Sequence, residues 1–351
     1  MKYILFCLTL LGAVHTPLFS QTEDYTLVYY PSINEAELAI TRNDIKEALK
    51  HYKTAFKSVK TGFARDYRNA AICAIQTNDD DFAFTCVEKL IAKSVAKDYF
   101  TDDVFAPLRE KTGWKKLMAQ FDQRYFEAQA SINQEYLSEL VAMGERDQYF
   151  RQMDNAYEVY GDTIAKIDQE SIARFLQLVE KYGFPSENII GAFGDVAAPW
   201  NIVLHHHAQQ ISNTKYKYPK GPSLAPIIQQ AAKAGQCDPT HAGFLLSLQN
   251  DKELNYNAWG IHQMMVDGVK RDYYLLDKVT ADQIPSVNAL RAGIGMEFLD
   301  DFRIKCQFRL DNPNTPFKLT SHRGINVWAF DENTAKDFEP YFDKIAPTLK
   351  N

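Results

Sequence analysis

The sequence predicts a mainly α fold: helical hairpins in the first half, then a helical domain carrying a small β-hairpin. Three observations predict it. Residues 43–56 place Ile45, Ala48, Leu49, Tyr52, Ala55 and Phe56 on one face of a helix. The same kind of stripe returns over residues 67–75 and again over 82–91. Asp267-Gly268, a turn pair, separates two apolar-rich runs, 259–266 and 273–276. With 351 residues, 46% of them hydrophobic and 24% charged, the chain can hold two domains with real cores.

The first expected element is a leader. Lys2 stands before the short apolar run 4–11, and small Ser20 precedes Gln21. That is the layout of a cleaved secretory signal peptide. Residues 1–20 are therefore expected to be removed, and the mature protein to work in the periplasm or outside the cell. Cys7 has no small residues before it and lacks the setting of a lipid-attachment cysteine. Lys2 is the leader's only charge, so cleavage makes the formal net charge of −6 one unit more negative. A mildly acidic chain with no basic cluster has no general attraction for nucleic acid. No later run is apolar and long enough for a membrane span. Cys73, Cys86, Cys237 and Cys306 lie beyond the leader and are read as small buried residues. A Cys73–Cys86 bridge between adjacent helices is the alternative.

The helical hairpins occupy residues 21–130. Asn43 or Asp44 caps the 43–56 helix, and residues 35–40 supply its partner. Tyr67, Ala70, Ala71, Ala74 and Ile75 mark the next helix. Residues 78–81 form a turn and cap, and Phe82, Ala83, Cys86, Val87, Leu90 and Ile91 mark the helix after it. A third pair is expected over 104–108 and 114–121. The spacing is close to the ~34-residue repeat of tetratricopeptide units. Residues 43–56 resemble the second half of such a unit, but the Trp and Gly of the first half are missing. The region is thus tetratricopeptide-like, with a plain helical bundle as the other reading.

Residues 131–305 form the expected helical domain. Asp147-Gln148 is followed by Arg151, and Gly183-Phe184-Pro185 leads to Ile190-Gly191. A helix ends in His207-Ala208. Val287-Asn288-x-x-Arg291-x-x-x-Gly295 follows, closed by Leu299 and Phe302. In their order and spacing these pieces resemble an uncharacterised bacterial domain family over residues 134–302. The resemblance implies a domain and carries no activity. The chain departs from that family at Leu246-Ser247-Leu248-Gln249, where relatives have an Asp-Arg pair after Ala-Leu-Leu. It departs again at Trp259-Gly260-Ile261-His262, where relatives have Tyr-Gly-Thr-Gln. These departures imply a diverged or inactive member.

Local signals place the remaining elements. Asp238-Pro239 is a cap and first-turn pair for a helix through Leu248. Ser286 is expected to cap the helix that holds Arg291. Residues 306–351 read as a C-terminal extension: a turn-rich stretch at 311–316, a short strand at 325–330 and a last helix at 331–344.

The chemistry is sparse. His205-His206-His207 cannot all reach one metal from a helix, because consecutive residues diverge by about 100°. The plain expectation there is two surface histidines and one packed histidine. HExxH, CxxC, GxSxG and P-loop patterns are absent, so no metal or cofactor is expected. Cys237 lacks a recognisable base.

Periodicity singles out better candidates. The stripe Leu137, Leu140, Val141, Gly144 runs on into Gln148 and Arg151. Trp200, Val203 and Leu204 run on into His207, and Arg291 lies among Val287, Leu290 and Ile294. Buried polar groups need partners. Asp147, Gln148, Arg151, His207 and Arg291, with His262 from the divergent motif, are therefore expected to line one cavity. The alternative is that these stripes simply end at the surface. Two guanidinium groups beside one carboxylate would favour a small anionic ligand. The function expected is an exported binding or scaffolding protein, with a protein or a small anion as partner. The alternative is an exported enzyme, a hydrolase using the Arg/His/Asp cavity.

Overall fold

The structure is a computed structural model describing residues 23–193, 198–213, 217–249, 255–319, 323–338 and 340–348. The expected leader and the Ser20-Gln21 junction lie outside the described residues. The fold is mainly α with one small sheet, as the sequence predicts. Among the described residues no helix is long and apolar enough to cross a membrane.

The first half opens with α1 (Tyr25–Val28) and α2 (Tyr30–Thr41), followed by α3 (Ile45–Ser58), α4 (Ala64–Gln76) and α5 (Asp80–Ala92). Two hairpins, α2–α3 and α4–α5, turn in the same way. Asn43 and Asn78 take left-handed backbone at φ 59° and 58°. The next residue caps the following helix: Asp44 accepts from the Glu47 N–H at 3.1 Å and Asp79 from the Phe82 N–H at 3.3 Å. The Asp44 N–H reaches back to the Ala39 carbonyl, as the Asp79 N–H does to Ala74. This recurring Asn-Asp turn is the physical content of the repeat. Ala48, Tyr52 and Ala55 are fully buried in the first core, which lets α3 approach α2 closely.

The expected third pair is broken up. Residues 97–105 form two 3₁₀ turns, Lys97–Thr101 and Asp103–Phe105, before α6 (Ala106–Arg109), α7 (Thr112–Ala119) and α8 (Phe121–Ser131). Asp102 caps the second turn through the Val104 N–H at 3.1 Å, and Pro107 sits in the first turn of α6. An aromatic cluster fills the space instead. Phe100 lies 5.5 Å from Phe105, 6.1 Å from Phe121 and 6.4 Å from Trp114.

The second half runs α9 (Gln134–Arg151), α10 (Ala156–Val159), α11 (Gly161–Tyr182), α12 (Glu187–Ile190), α13 (Trp200–Ser212), α14 (Ala225–Lys233) and α15 (Pro239–Leu248). Asp238 caps α15 as expected, accepting from the N–H groups of Thr240 and His241 at 3.0 and 3.2 Å. The stripe on α9 is shifted from the expected one. Tyr136, Leu140, Met143 and Asp147 are buried, whereas Val141 is exposed. The larger Tyr136 and Met143 take the inner face, turning Val141 outward.

The sheet is larger than a hairpin. β1 (Ile261–Val266) and β2 (Val269–Asp277) join through a two-residue turn at Asp267 and Gly268, both at positive φ. Residues 269–272 thus belong to the strand, not to a long loop. After α16 (Ile284–Gly293) and α17 (Leu299–Asp311) come β3 (Arg323–Ala329), α18 (Glu332–Asp337) and β4 (Phe342–Ile345). The strand order is β3-β1-β2-β4, with β1 and β3 parallel and the other pairs antiparallel. Three expectations are corrected here. The boundary at 305/306 falls inside α17, residues 331–344 hold a short helix and then a strand, and α16 starts at Ile284 without Ser286 as its cap.

The N-terminal hairpins are not packed by themselves. Phe317 and Leu319, from the C-terminal stretch, belong to the first core. Asn69 exchanges two hydrogen bonds of 2.9 Å with the backbone of Lys318. Tyr30 packs on Gly295, where an added Cβ would lie 2.0 Å from its ring, and Tyr25 packs the same way on Gly235. Gly235 and Gly295 both have positive φ. Gly295 of the Asn-x-x-Arg-x-x-x-Gly motif is thus needed for both its backbone and its lack of a side chain. Arg65 bridges Asp66 at 3.0 Å and Asp238 at 2.8 Å, and Tyr29 donates to Asp66 at 2.7 Å.

Asp66 carries a pH prediction. Burial is the main cause that pushes its pKa up from 3.8 to about 6, against the pull of Arg65. A raised folded-state pKa means that proton uptake favours the folded chain. The contribution is fully present below about 3.8 and is lost as the pH rises through about 6. Between pH 7 and pH 5 the wild type should gain about 1 kcal/mol of stability relative to Asp66→Asn. Urea unfolding of both proteins at the two pH values measures it, and an equal change in both would refute it.

Candidate functional site

Helices α9, α11 and α13 meet along a line of buried polar groups. Arg151 donates from Nη1 to Asp147 at 2.9 Å and from Nη2 to both oxygens of Asp168 at 2.8 Å. His206 Nδ1 lies 2.8 and 3.1 Å from the two oxygens of Asp147. A carboxylate only accepts, so Nδ1 carries a proton. Gln148 donates to Asp147 at 2.8 Å, and Gln210 donates to Asp168.

The charge here is opposite in sign to the expectation. Two carboxylates share one guanidinium, and burial raises the pKa of Asp168 despite its bidentate pair with Arg151. Such a site repels an anion. Of the expected set, Asp147, Gln148 and Arg151 come together. Sequence reasoning missed His206, Asp168 and Gln210. Asp168 had a signal: it lies on the α11 stripe of Ile164, Ile167, Ser171, Ile172 and Phe175, all buried.

His207 and Arg291 belong elsewhere. His207 follows the Trp200, Val203, Leu204 stripe into the core and lies 2.8 Å from the Pro222 carbonyl through Nε2. That nitrogen must therefore carry the proton. Burial lowers the pKa of His207, which keeps the ring neutral at pH 7. The adjacent histidine, one position earlier, is the one that enters the acidic network. None of the three is fully exposed, and His205 packs 5.7 Å from the Phe244 ring.

Arg291 is fully buried and acts on backbone. It donates to the carbonyls of Glu297 at 2.6 Å, Tyr256 at 2.9 Å and Asn257 at 3.1 Å, with the Phe302 ring 4.9 Å away. Its expected place beside Arg151 is taken by a role in holding loops. His262, also buried, pairs through Nε2 with Asp277 at 3.1 Å across the hairpin. The six candidates thus fall into separate polar groups, not around one space. Cys73, Cys86, Cys237 and Cys306 are all buried free thiols, and burial raises the pKa of each. Among the described residues no cluster of His, Cys, Asp or Glu has the arrangement of a metal site.

Two openings flank the 312–317 stretch, and one of them reaches the sheet. Two hollows, about 1090 and 920 Å³, share Asn312, Pro313, Thr315 and Phe317. The first is walled by the α2–α3 turn and by α17, with Ile40, Ile45 and Phe308 on its surface. The second lies against one face of the sheet, at Gln263, Met265, Tyr274 and Asn326. Among the described lining residues the charged groups are Arg42, Lys270, Arg309 and Lys318 against a single acid, Asp311. The Lys318 ammonium lies 5.5 Å over Tyr99, and burial lowers its pKa to about 8.

Truncating Arg151 tests the closed network. Arg151→Met leaves Asp147 and Asp168 buried without their cation, and should cost about 3–5 kcal/mol at pH 7. Adding Asp168→Asn should recover part of that loss. Urea midpoints of the single and double variants decide it; an unchanged midpoint in Arg151→Met would mean the pair contributes nothing. No protein-family model matches this chain, and neither a curated protein nor a solved structure matches it.

Proposed function

We propose that this chain is an exported binding protein that holds an acidic segment of a partner protein in the groove between its helical hairpins and its sheet. One observation carries the reading. In a chain of net charge −6, the two hollows that share Asn312, Pro313, Thr315 and Phe317 are lined by Arg42, Lys270, Arg309, Lys318 and Asp311, beside Ile40, Ile45 and Phe308. A positive excess attracts acidic partners, and the attraction weakens with salt. We propose kinship of residues 134–302 with an uncharacterised bacterial domain family, a kinship that implies no activity.

Export rests on Lys2, the apolar run 4–11 and Ser20. N-terminal sequencing of protein from its native host should begin at or near Gln21, and an intact Met1 on cytoplasmic material would sink this part.

A second reading, an exported hydrolase, has one observation in its favour. Asp147 holds His206 through Nδ1 at 2.8 Å, the way a carboxylate orients a catalytic imidazole. Among the described residues no hydrogen bond joins this imidazole to a hydroxyl or thiol, so binding is preferred.

The groove is tested with a fluorescein-labelled octapeptide of alternating Glu and Leu. Binding should weaken as NaCl rises from about 50 to 300 mM. Arg42→Glu and Lys270→Glu, both at exposed positions, should each weaken it about tenfold. Binding insensitive to salt and to both reversals would refute an electrostatic groove.

A further inference from the structure

A third hollow, about 560 Å³, lies where the end of the sheet meets the C-terminal ends of α13 and α15, and it shares no lining residue with the groove. Trp259, Tyr341 and Phe342 give it an aromatic side. Gln209, Ser212, Asn255 and Asn257 give it a hydrogen-bonding side. Asp277 and Lys278, the charged residues among its described lining, cancel.

The hydrogen-bonding side is built and held. Asn257 has left-handed backbone at φ 47°, a conformation that costs energy outside glycine. Buried Arg291 holds it there through the Tyr256 and Asn257 carbonyls, and Ser247 Oγ accepts from the Tyr256 N–H at 3.1 Å. Asn255 Oδ1 accepts from the Asn257 N–H at 3.0 Å, which turns the amide of Asn255 into a fixed donor. Asp277 is steadied by His262 at 3.1 Å. His262 itself is wedged between Phe342 at 5.4 Å and Trp259 at 6.3 Å. One buried imidazole thus ties the carboxylate to two of the three aromatic walls.

We infer that this hollow binds a neutral polyhydroxylated ligand of saccharide type. A sugar ring has an apolar face of C–H groups that lies on aromatic rings, and an edge of hydroxyls that both donate and accept. Aromatic walls beside fixed amides and one carboxylate match both surfaces. Helix C-termini present carbonyls, and with Asp277 they make the rim rich in acceptors, so an anionic ligand is disfavoured. A cation held by an aromatic cage would need a net negative wall, and Lys278 removes it. The volume lies within the range of about 300–1,000 Å³ for small-ligand pockets.

The experiment is saturation-transfer NMR with D-glucose, N-acetyl-D-glucosamine and cellobiose. Choline chloride and sodium glucuronate serve as the cationic and anionic controls. At least one neutral sugar should receive saturation on its ring C–H protons, and the two controls should not. Trp259→Ala and Asp277→Asn should each weaken the responding sugar about tenfold or more. Tyr341→Ala, at an exposed position that the fold tolerates, should weaken it as well. If Trp259→Ala fails to fold, the other two variants decide. The proposal is overturned if none of the three sugars responds, if choline or glucuronate responds instead, or if the signal survives Asp277→Asn and Tyr341→Ala unchanged. The peptide titration of the groove is independent, so either site can fail without the other.

Discussion

A buried cation must be paired, and the second half of this chain is arranged around two of them. Arg291 is fully buried, and Lys305 is nearly so. Lys305 meets Glu37 of α2 at 2.7 Å, with Glu297 4.0 Å away, and Arg291 lies 3.7 Å from that same Glu297. Leaving any of these charges alone would cost several kcal/mol. Their pairing therefore dictates that α17 lies on α2 and that the turn after α16 folds back beneath it. Arg291 then fixes the 255–258 loop through its carbonyls. From that loop β1 begins, and from β1 the sheet. The helical hairpins and the sheet are held in register by a charge constraint, to which the aromatic packing of Tyr25 and Tyr30 on glycine backbone adds.

The same rule explains where openings are found. Helices α9, α11 and α13 bring polar groups inward, whereas periodicity predicts α9, α13 and the helix of Arg291. Once inside, those groups satisfy one another: Arg151 reaches two carboxylates, and His206, Gln148 and Gln210 take their remaining oxygens. A network so largely paired specifies a core, with Arg151 Nε its one guanidinium nitrogen lacking a hydrogen bond among the described residues. Two of the concavities lie where the sheet meets helix ends, and another lies outside the network along α9 and α11, at Glu145, Tyr149 and Lys166.

Local signals were legible in the sequence, and distant ones were not. The stripe of Ala48, Tyr52 and Ala55, the Asp44, Asp79 and Asp238 caps, and the Asp267-Gly268 turn each involve neighbours within a few residues. The sequence carries those directly. The parallel pairing of β1 with β3 joins residues about sixty apart, from Ile261 to Arg323, and no local pattern announces it. The α9 stripe was misplaced because Leu137 and Tyr136 are both plausible inward residues, and the bulk of neighbouring helices decided between them. His206, expected at the surface, is the histidine that pairs with Asp147, while His207 stays inside on a carbonyl, for a similar reason. On one helix they point about 100° apart, and the position of Asp147 on another chain segment selects which one is paired.

The misplaced histidine and the misplaced arginine share a cause, and it bears on function. A polar residue on a buried stripe has two ways to avoid its desolvation cost: a side-chain partner or a backbone carbonyl. Periodicity reports only that the residue is inside. His207 and Arg291 both chose carbonyls, at Pro222 and at Tyr256, Asn257 and Glu297. A group committed to backbone is lost to chemistry but can shape a loop that binds. Arg291 does so directly, because the loop it holds carries Asn255 and Asn257 into the aromatic hollow. The Asn-x-x-Arg-x-x-x-Gly motif is therefore best understood as scaffolding for a recognition loop. Its Arg fixes the loop and its Gly admits Tyr30.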